Sequence, residues 1–106
     1  MKAELLKGHL DLLLLRIIKE QPAHGYAIIE DLKRRSRGDL DLPEGSVYPA
    51  LHRMERAGLL KSAWSDEGGR RRRVYEISAK GSKALAAKHA EWGAFVRSIR
   101  LVLQGT

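Results

Sequence analysis

The sequence predicts a mainly α-helical fold that carries one small β-hairpin. Three observations support this prediction. Apolar residues recur every three to four positions in four segments, two short segments alternate with period two, and a glycine pair, Gly68 and Gly69, lies between those two. The chain has 106 residues, of which 43% are apolar, so it can bury one core but is too short for two full-sized domains.

The first helix is predicted from Glu4 to Glu20, and Pro22 stops it. Leu12 and Leu15 add apolar surface outside its main stripe, which indicates a second contact with another subunit. The stripe itself has the helical period and consists of Leu5, Leu6, Leu10, Leu13, Leu14, Ile17 and Ile18.

The second helix is predicted over the segment HGYAIIEDLKRRS, and Gly38 marks its end. His24 is expected to satisfy backbone groups at its start. Lys33 and Arg34 belong to a cluster of cations at its C-terminal end, where positive charge suits the helix dipole. That cluster fits an ordinary polar helix end and phosphate binding equally well. The residues expected to face the core are Tyr26, Ile28, Ile29 and Leu32.

A third, short helix is predicted from Pro43 to Ala57, closed by Gly58. Pro49 is tolerated because it lies in the first turns, where few backbone donors have intrahelical partners. The residues expected to face the core are Val47, Ala50, Leu51 and Met54. The opposite face has no carboxylate before Glu55 and offers donors, an aromatic ring and cations, namely Ser46, Tyr48, Pro49, His52, Arg53 and Arg56.

The hairpin is predicted at about residues 60–78, from the segments LLKSAWS and RVYEIS. Trp64 is expected to pack, and Arg73 to begin the paired second strand. Period-two alternation groups Leu60, Ser62 and Trp64 on one face of the first strand, and Arg73, Tyr75 and Ile77 on one face of the second. Three arginines nearer the tip are expected to reach an acidic partner freely: Arg70, Arg71 and Arg72.

Ser78 is a good N-cap for a last helix that runs to about Leu103. At about 1.5 Å per residue this helix spans roughly 40 Å, which exceeds what so small a core can cover. Part of its face therefore needs another partner. The residues expected at that contact are Leu12 and Leu15 of the first helix together with His89, Trp92, Phe95, Val96 and Ile99.

The charge balance indicates an acidic partner. Twenty Lys and Arg against thirteen Asp and Glu leave a net charge of +7 and a pI near 10.1. Nucleic acid is the commonest partner of so basic a small protein, and an anionic membrane or an acidic protein is a less frequent one.

Several classes of site are excluded by residue usage. The chain has no cysteine, its four histidines are scattered without metal-ligand spacing, and its serines lie in no nucleophile motif. We expect no enzyme activity, no metal and no cofactor. The most apolar stretch, LDLLLLRII, is interrupted by Asp11 and Arg16 and is too short to span a membrane or to act as a signal peptide. We therefore expect a cytoplasmic protein with no membrane partner.

The order of elements is typical of a winged helix-turn-helix DNA-binding domain. Residues 1–78 make up this domain, with the wing at about 60–78, and residues 79–106 are a C-terminal dimerisation helix in the same compact unit. A helix fits the major groove and can read base edges with Ser46, His52 and Arg53, while arginines on an adjacent hairpin reach the backbone.

Three segments resemble the PadR-like transcriptional regulators, and together they cover nearly the whole chain. They are LLKGHLDLLLLRIIKEQPAHGYAI, GSVYPALHRMERAGLL and GGRRRRVYEISAKG, which look like the family's opening, recognition helix and wing. The resemblance implies a dimeric winged-helix repressor of double-stranded DNA, with Tyr48 near DNA. It also implies a homodimer interface formed by the last helix together with the first.

The layout is closest to the short members of the family, which have one C-terminal helix, so no extended C-terminal effector domain is expected. In some of these members the dimer encloses an apolar pore that takes flat aromatic drugs between tryptophans of the last helix, and phenolic-acid sensing is a second theme of the family. Trp92 lies where such a tryptophan would be. It can therefore pack the dimer core or contribute to a site for a small aromatic or phenolic effector.

Two other functions compete with sequence-specific repression. Winged helices also serve as protein-interaction adaptors, although a basic third-helix face and a basic wing argue against that role. The second alternative is an architectural protein that binds nucleic acid with little regard to sequence.

Overall fold

The computed structural model describes Leu6 and residues 8–104, and the fold within them is mainly helical, as predicted. The helices and strands in chain order are α1 (Leu10–Glu20), β1 (Ala23–His24), α2 (Gly25–Arg35), α3 (Glu44–Arg56), β2 (Leu60–Ser65), a 3-10 turn (Glu67–Gly69), β3 (Arg72–Ile77) and α4 (Ala79–Gln104). No helix within this part of the chain is long and apolar enough to cross a bilayer.

Helix α1 begins later than predicted. Gly8 has a φ of 86°, and the His9 amide donates to the Leu6 carbonyl at 2.8 Å, so a turn precedes Leu10. The prediction of one continuous helix through Gly8 was therefore wrong, and the expected start at Glu4 lies outside the described residues.

Helix α1 occupies the middle of the core and contacts α2, α3, β3 and α4. Because it is covered on several sides, its buried surface is broader than one stripe, and Leu14 and Leu15 are both fully buried. Leu15 is therefore not available to a second subunit, and that expectation was wrong. Leu12 is partly buried against the same core.

Helix α2 starts as predicted, because the His24 side chain accepts a hydrogen bond from the Ala27 amide at 3.2 Å through Nδ1. Ile28, Ile29 and Leu32 face the core, but Tyr26 is 56% exposed. Tyr26 lies about 200° around the helix from Ile28, so its apolar character does not place it on the buried face.

The sheet has three antiparallel strands in the order β1, β3, β2, rather than the two that were predicted. The two-residue strand β1 pairs with β3. The register of the hairpin confirms the predicted faces, because it sets Leu60 opposite Ile77, Ser62 opposite Tyr75 and Trp64 opposite Arg73.

Helix α3 buries Val47, Ala50, Leu51 and Met54, as predicted, and continues through Pro49. Gly58, with a φ of 81°, ends the helix segment. The chain then turns back, with the Leu59 amide donating to the Met54 carbonyl at 2.9 Å. We call residues 57–59 the Gly58 turn, and it connects α3 directly to β2.

The start of helix α4 is held against the Gly58 turn by a hydrogen bond and by close backbone packing. The Ser78 hydroxyl accepts from the Gly81 amide at 3.0 Å, which confirms the predicted N-cap, and donates to the Gly58 carbonyl at 2.6 Å. Gly81 is buried, and a Cβ at this position would collide with the Leu59 carbonyl oxygen. The two backbones therefore meet without an intervening side chain.

Beyond Leu85, α4 leaves the body of the molecule, and the longest dimension of the protein is 58 Å. The expectation that this helix outruns the core is confirmed. Its outer part carries a stripe of apolar side chains that are exposed apart from the half-buried Val96. We call it the α4 stripe: Trp92, Phe95, Val96, Ile99 and Leu103.

Candidate nucleic-acid interface

A concave surface of about 720 Å³ lies between α3 and the hairpin, and we call it the wing groove. The N-terminal end of α2 closes one side of it. The structure brings together five of the residues predicted to contact DNA. The groove is lined by His24, Gly25, Tyr26, Glu44, Tyr48, His52, Trp64, Arg70, Arg71, Arg72, Arg73 and Tyr75.

Tyr48 is half-buried and forms part of the groove wall. Its ring lies against the backbone of Gly25, where a Cβ would be 2.5 to 2.8 Å from three atoms of the ring and hydroxyl. Tyr48 therefore packs on the edge of the core and faces the groove at the same time.

Exposed side chains on α3 provide free hydrogen-bonding groups. Ser46, Pro49 and His52 are exposed, and among the described residues neither Ser46 nor His52 has a side-chain partner. Glu44 also reaches the groove, so the prediction of a face without a carboxylate before Glu55 was wrong at that position.

Arg53 is not a free donor. Its two terminal nitrogens donate to the two carboxylate oxygens of Asp11 at 2.7 and 2.9 Å. These hydrogen bonds raise the pKa of Arg53 further above its ordinary value. No local pattern predicts this pairing, because Asp11 lies on another helix, 42 residues away.

Arg70 and Arg71 are exposed beside the 3-10 turn, where Gly68 and Gly69 have φ values of 79° and 76°. The Arg71 guanidinium lies over the Trp64 ring, 4.7 Å from its centroid. Both guanidinium groups lie at the groove surface near the tip of the hairpin.

Arg72 differs from these two, because β3 already begins there and the residue is half-buried. Its Nη1 lies 2.8 Å from Nε2 of His24, so the prediction of a free arginine at the tip was wrong for Arg72. Burial and, to a smaller extent, the charge of Arg72 lower the pKa of His24 below its ordinary value.

A polar network joins the hairpin to α3. Arg73 Nε donates to the Ser62 hydroxyl at 2.7 Å, and that hydroxyl donates to Glu55 at 2.6 Å. Arg73 Nη2 is also 3.5 Å from the same carboxylate, and its guanidinium lies 5.3 Å from the Trp64 ring centroid. Trp64 is thus an exposed groove residue contacted by two arginines, and the prediction that it packs in the interior was wrong.

Sequence reasoning missed Glu55, Ser62 and Trp64 as parts of this site. The hairpin register carries the available signal, since Trp64 stands directly opposite Arg73 and such cross-strand pairs interact.

Lys33 and Arg34 are not brought to the wing groove. Lys33 lies 3.8 Å from Asp41, and Arg34 pairs with Asp31. Arg34 lines a separate open pocket together with Glu20, Glu30 and Asp31. Both side chains thus have carboxylate partners at the opposite end of α2 from the groove, where they do not add to its positive charge.

The wing groove combines four arginines with one carboxylate, Glu44, and with three tyrosines and a tryptophan. Clustered guanidinium groups beside an exposed helix suit a polyanion whose backbone and edges are both accessible. No cluster of metal-ligating side chains occurs in the part of the chain that the structure describes.

A helical core, an outward-facing third helix and a basic antiparallel wing beside it define a winged-helix DNA-binding protein. A model of the transcriptional regulator PadR-like family matches residues 14–87. The chain belongs to this family. It is accordingly a DNA-binding transcriptional regulator and not an enzyme.

Known proteins of similar structure or sequence support this assignment. A transcriptional regulator from Clostridium thermocellum superposes with a TM-score of 0.87 at 26% identity, covering 94% of this chain and 95% of that one. A PadR-like transcriptional regulator from Bacillus cereus gives 0.85 at 30% identity, covering 98% and 100%. A transcriptional regulator of Mycobacterium tuberculosis is 38% identical over 66 residues, which cover 62% of this chain and 59% of that protein.

Proposed function

We propose that this chain is a homodimeric repressor that binds a palindromic operator. The observation that carries the proposal is the wing groove, in which the exposed face of α3 and the arginines of the hairpin line one surface. In this proposal α3 enters the major groove and Ser46, Tyr48, Pro49 and His52 face base edges, while Arg70 and Arg71 hold the adjacent backbone. Residues 1–78 form the DNA-binding part and residues 79–106 the dimerisation helix.

The α4 stripe supports the homodimer. Trp92, Phe95 and Ile99 are 40%, 53% and 43% exposed, which is more uncovered apolar surface than a lone helix of a monomer normally shows. His89 lies beside this stripe and is also exposed. Two-fold symmetry would then present two recognition helices to half-sites about one helical turn apart.

Trp92 also supports release by a small aromatic effector. Its ring meets His9 edge to face at 4.9 Å and lies 6.1 Å from the ring of Phe95. A flat aromatic or phenolic molecule between the α4 helices of a dimer would stack on such rings and favour one separation of the recognition helices over another. We place the protein in the cytoplasm, because its proposed ligand is chromosomal DNA.

Selection from a random duplex pool followed by footprinting at moderate salt tests this proposal. A protected palindrome, together with reduced transcription from a reporter that carries it, supports a repressor. Uniform weak protection at any sequence would indicate an architectural protein, and no protection would indicate an adaptor. Either of these outcomes would contradict the proposal.

The role of the wing is tested by the salt dependence of binding. Replacing Arg70 and Arg71 together by Ala should weaken binding to specific and random duplexes alike and reduce the salt slope by about two. The charge-matched control replaces Lys33 and Arg34 by Ala, since these cations lie outside the wing groove. An equal loss of slope in both double variants would contradict a phosphate role for the wing.

A further inference from the structure

The first turn of α1 touches two distant elements at once. His9 lies immediately before the helix and packs its ring against Trp92 of α4. Asp11, two residues later, holds Arg53 of α3 by two hydrogen bonds. The α4 stripe and the outward face of the recognition helix are therefore connected through a single turn of backbone.

The two side chains of the Asp11–Arg53 ion pair differ in their exposure to solvent. The side chain of Asp11 is 18% exposed, whereas that of Arg53 is 56% exposed. Asp11 occupies the end of the guanidinium formed by the two terminal nitrogens of Arg53, and a guanine edge or a phosphate binds end-on through that same pair of donors. DNA and Asp11 therefore compete for one guanidinium group.

We infer that Asp11 is a positioning residue that couples the α4 stripe to DNA binding by controlling Arg53. While Asp11 holds Arg53, the guanidinium is withheld from DNA. When DNA takes Arg53, the first turn of α1 loses its tie to α3, and the contact of His9 with Trp92 changes. By linkage, whatever fixes His9 against Trp92 favours the state in which Arg53 is withheld. This inference rests on the proposed function.

The chain contains a matched ion pair that lacks this connection. At the other end of α1, Glu20 accepts two hydrogen bonds from Arg35 at 2.7 and 2.9 Å. That pair joins α1 to α2 and involves neither α3 nor α4. Asp11→Asn and Glu20→Gln each remove one negative charge from a two-bond pair with an arginine, and Glu20→Gln also removes an ion pair with Arg16 at 3.7 Å within α1. An effect confined to Asp11→Asn is therefore due to the position of Asp11.

The first measurement is affinity for the selected operator duplex across a salt series. Asp11→Asn should bind at least about fivefold more tightly, since Arg53 no longer has to leave a carboxylate. Its salt slope should be steeper by about one, as for one added phosphate contact. Glu20→Gln should change neither quantity to that extent. Equal effects in the two variants, or weaker binding by a folded Asp11→Asn protein, would overturn the inference.

The second measurement reads the coupling itself by fluorine NMR of protein labelled with 5-fluorotryptophan. The two signals are assigned with Trp64→Phe and Trp92→Phe. Saturating operator duplex should shift both signals in the natural chain and in Glu20→Gln, but only the Trp64 signal in Asp11→Asn. Arg53→Gln breaks the same pair from the other side and should also leave the Trp92 signal unmoved, which keeps the test valid if Asp11→Asn does not fold.

The outcomes separate the two levels of the proposal. An unmoved Trp64 signal would mean that DNA does not occupy the wing groove, which contradicts the proposed function and the inference with it. A shifted Trp64 signal with an unmoved Trp92 signal in the natural chain would overturn the inference alone. The same holds if Trp92 responds equally in the natural chain, Asp11→Asn and Arg53→Gln.

Discussion

Tyr48 owes its place in the wing groove to the absence of a side chain at Gly25. The ring occupies the space that a Cβ would need, so the start of α2 and the second turn of α3 approach more closely than two ordinary residues would allow. The position of this aromatic side chain is therefore set by its neighbour as much as by its own helix.

Gly25→Ala should lower the free energy of unfolding by about 1 to 3 kcal/mol, because the added methyl group overpacks this contact. It should also weaken operator binding by displacing Tyr48. Chemical denaturation and a binding titration measure the two effects. Gly45→Ala is the control, since a Cβ there meets nothing within 4 Å and α3 should gain up to about 1 kcal/mol in helix propensity. Equal stability of the two variants would contradict the packing role of Gly25.

His24 should make stability depend on pH. Burial, and secondarily the charge of Arg72, hold its pKa below the ordinary value, so the folded state binds this proton less readily than the unfolded chain does. The contribution is fully present above the ordinary histidine pKa and is lost as the pH falls through the lowered one. Protonation would also remove the acceptor at Nδ1 that caps α2.

His24→Asn tests this expectation, because asparagine can cap the helix but does not titrate. Denaturation at pH 8 and pH 5 should show a smaller stability loss on acidification in the variant than in the natural chain. His89→Asn, at an exposed position of α4, serves as the control. If both variants lose as much stability between pH 8 and pH 5 as the natural chain does, the role of His24 is refuted.

Sequence reasoning at the residue scale succeeds where a side chain acts on its near neighbours. The caps at His24 and Ser78 are local, and both are confirmed. The pairing of Arg53 depends on a helix 42 residues earlier, which no local pattern reports. Leu15 was misplaced because the number of elements that surround α1 is a property of the tertiary fold.

At the scale of elements, the wing and the recognition helix are tied together. Ser62 of β2 stands between Arg73 of β3 and Glu55 of α3, and its hydroxyl uses both its donor and an acceptor site there. The arginines of the wing are consequently held at a fixed distance from the α3 residues that we propose to face the bases. This arrangement suits simultaneous contact with the two parts of a duplex.

Ser62→Ala should cost about 1 kcal/mol of stability, as expected for loss of a partly buried hydrogen-bonded hydroxyl. It should also speed hydrogen exchange of the wing amides and weaken DNA binding without changing the oligomeric state. Ser98→Ala on α4 is the matched control, because that serine is exposed and has no side-chain partner among the described residues. Unchanged wing exchange in Ser62→Ala would show that the network does not order the wing.

The helices and the hairpin could be predicted because each has a periodic pattern and a terminating residue. Gly58, for example, closes the α3 segment and adopts the positive φ that favours glycine. Strand β1 could not be predicted, since two residues show no alternation and pair only because β3 offers a free edge. The wing groove was predicted in part, as its cations lie close in sequence while Trp64 and Glu55 join it through strand pairing.

At the scale of the whole molecule, α4 is the element whose environment is incomplete. Its stripe is apolar over several turns, and Phe95, Ile99 and Leu103 are exposed, while the Trp92 ring meets His9. The far side of the same helix bears Leu101, which is 72% exposed and lies about 200° from Ile99. Substitutions at Ile99 and Leu101 therefore compare the contributions of the two opposite faces of α4 to dimer formation.

Ile99→Glu should raise the dissociation constant of the homodimer by about 30-fold or more, because it buries a charge at an apolar contact. Leu101→Glu introduces the same charge on the opposite face and should leave the constant unchanged. Sedimentation equilibrium measures both. Dissociation by Leu101→Glu alone would show that the dimer uses the other side of α4.

The close contact between Gly81 and Leu59 attaches the start of α4 rigidly to the Gly58 turn. No side chain lies between the two backbones at this contact, so the 26-residue helix and the Gly58 turn must rotate together. Over a length of about 39 Å, a tilt of about ten degrees moves the far end by about 7 Å. In a pair of chains joined along α4, a ligand that changes the angle between the two α4 helices would therefore turn both α3 helices relative to each other.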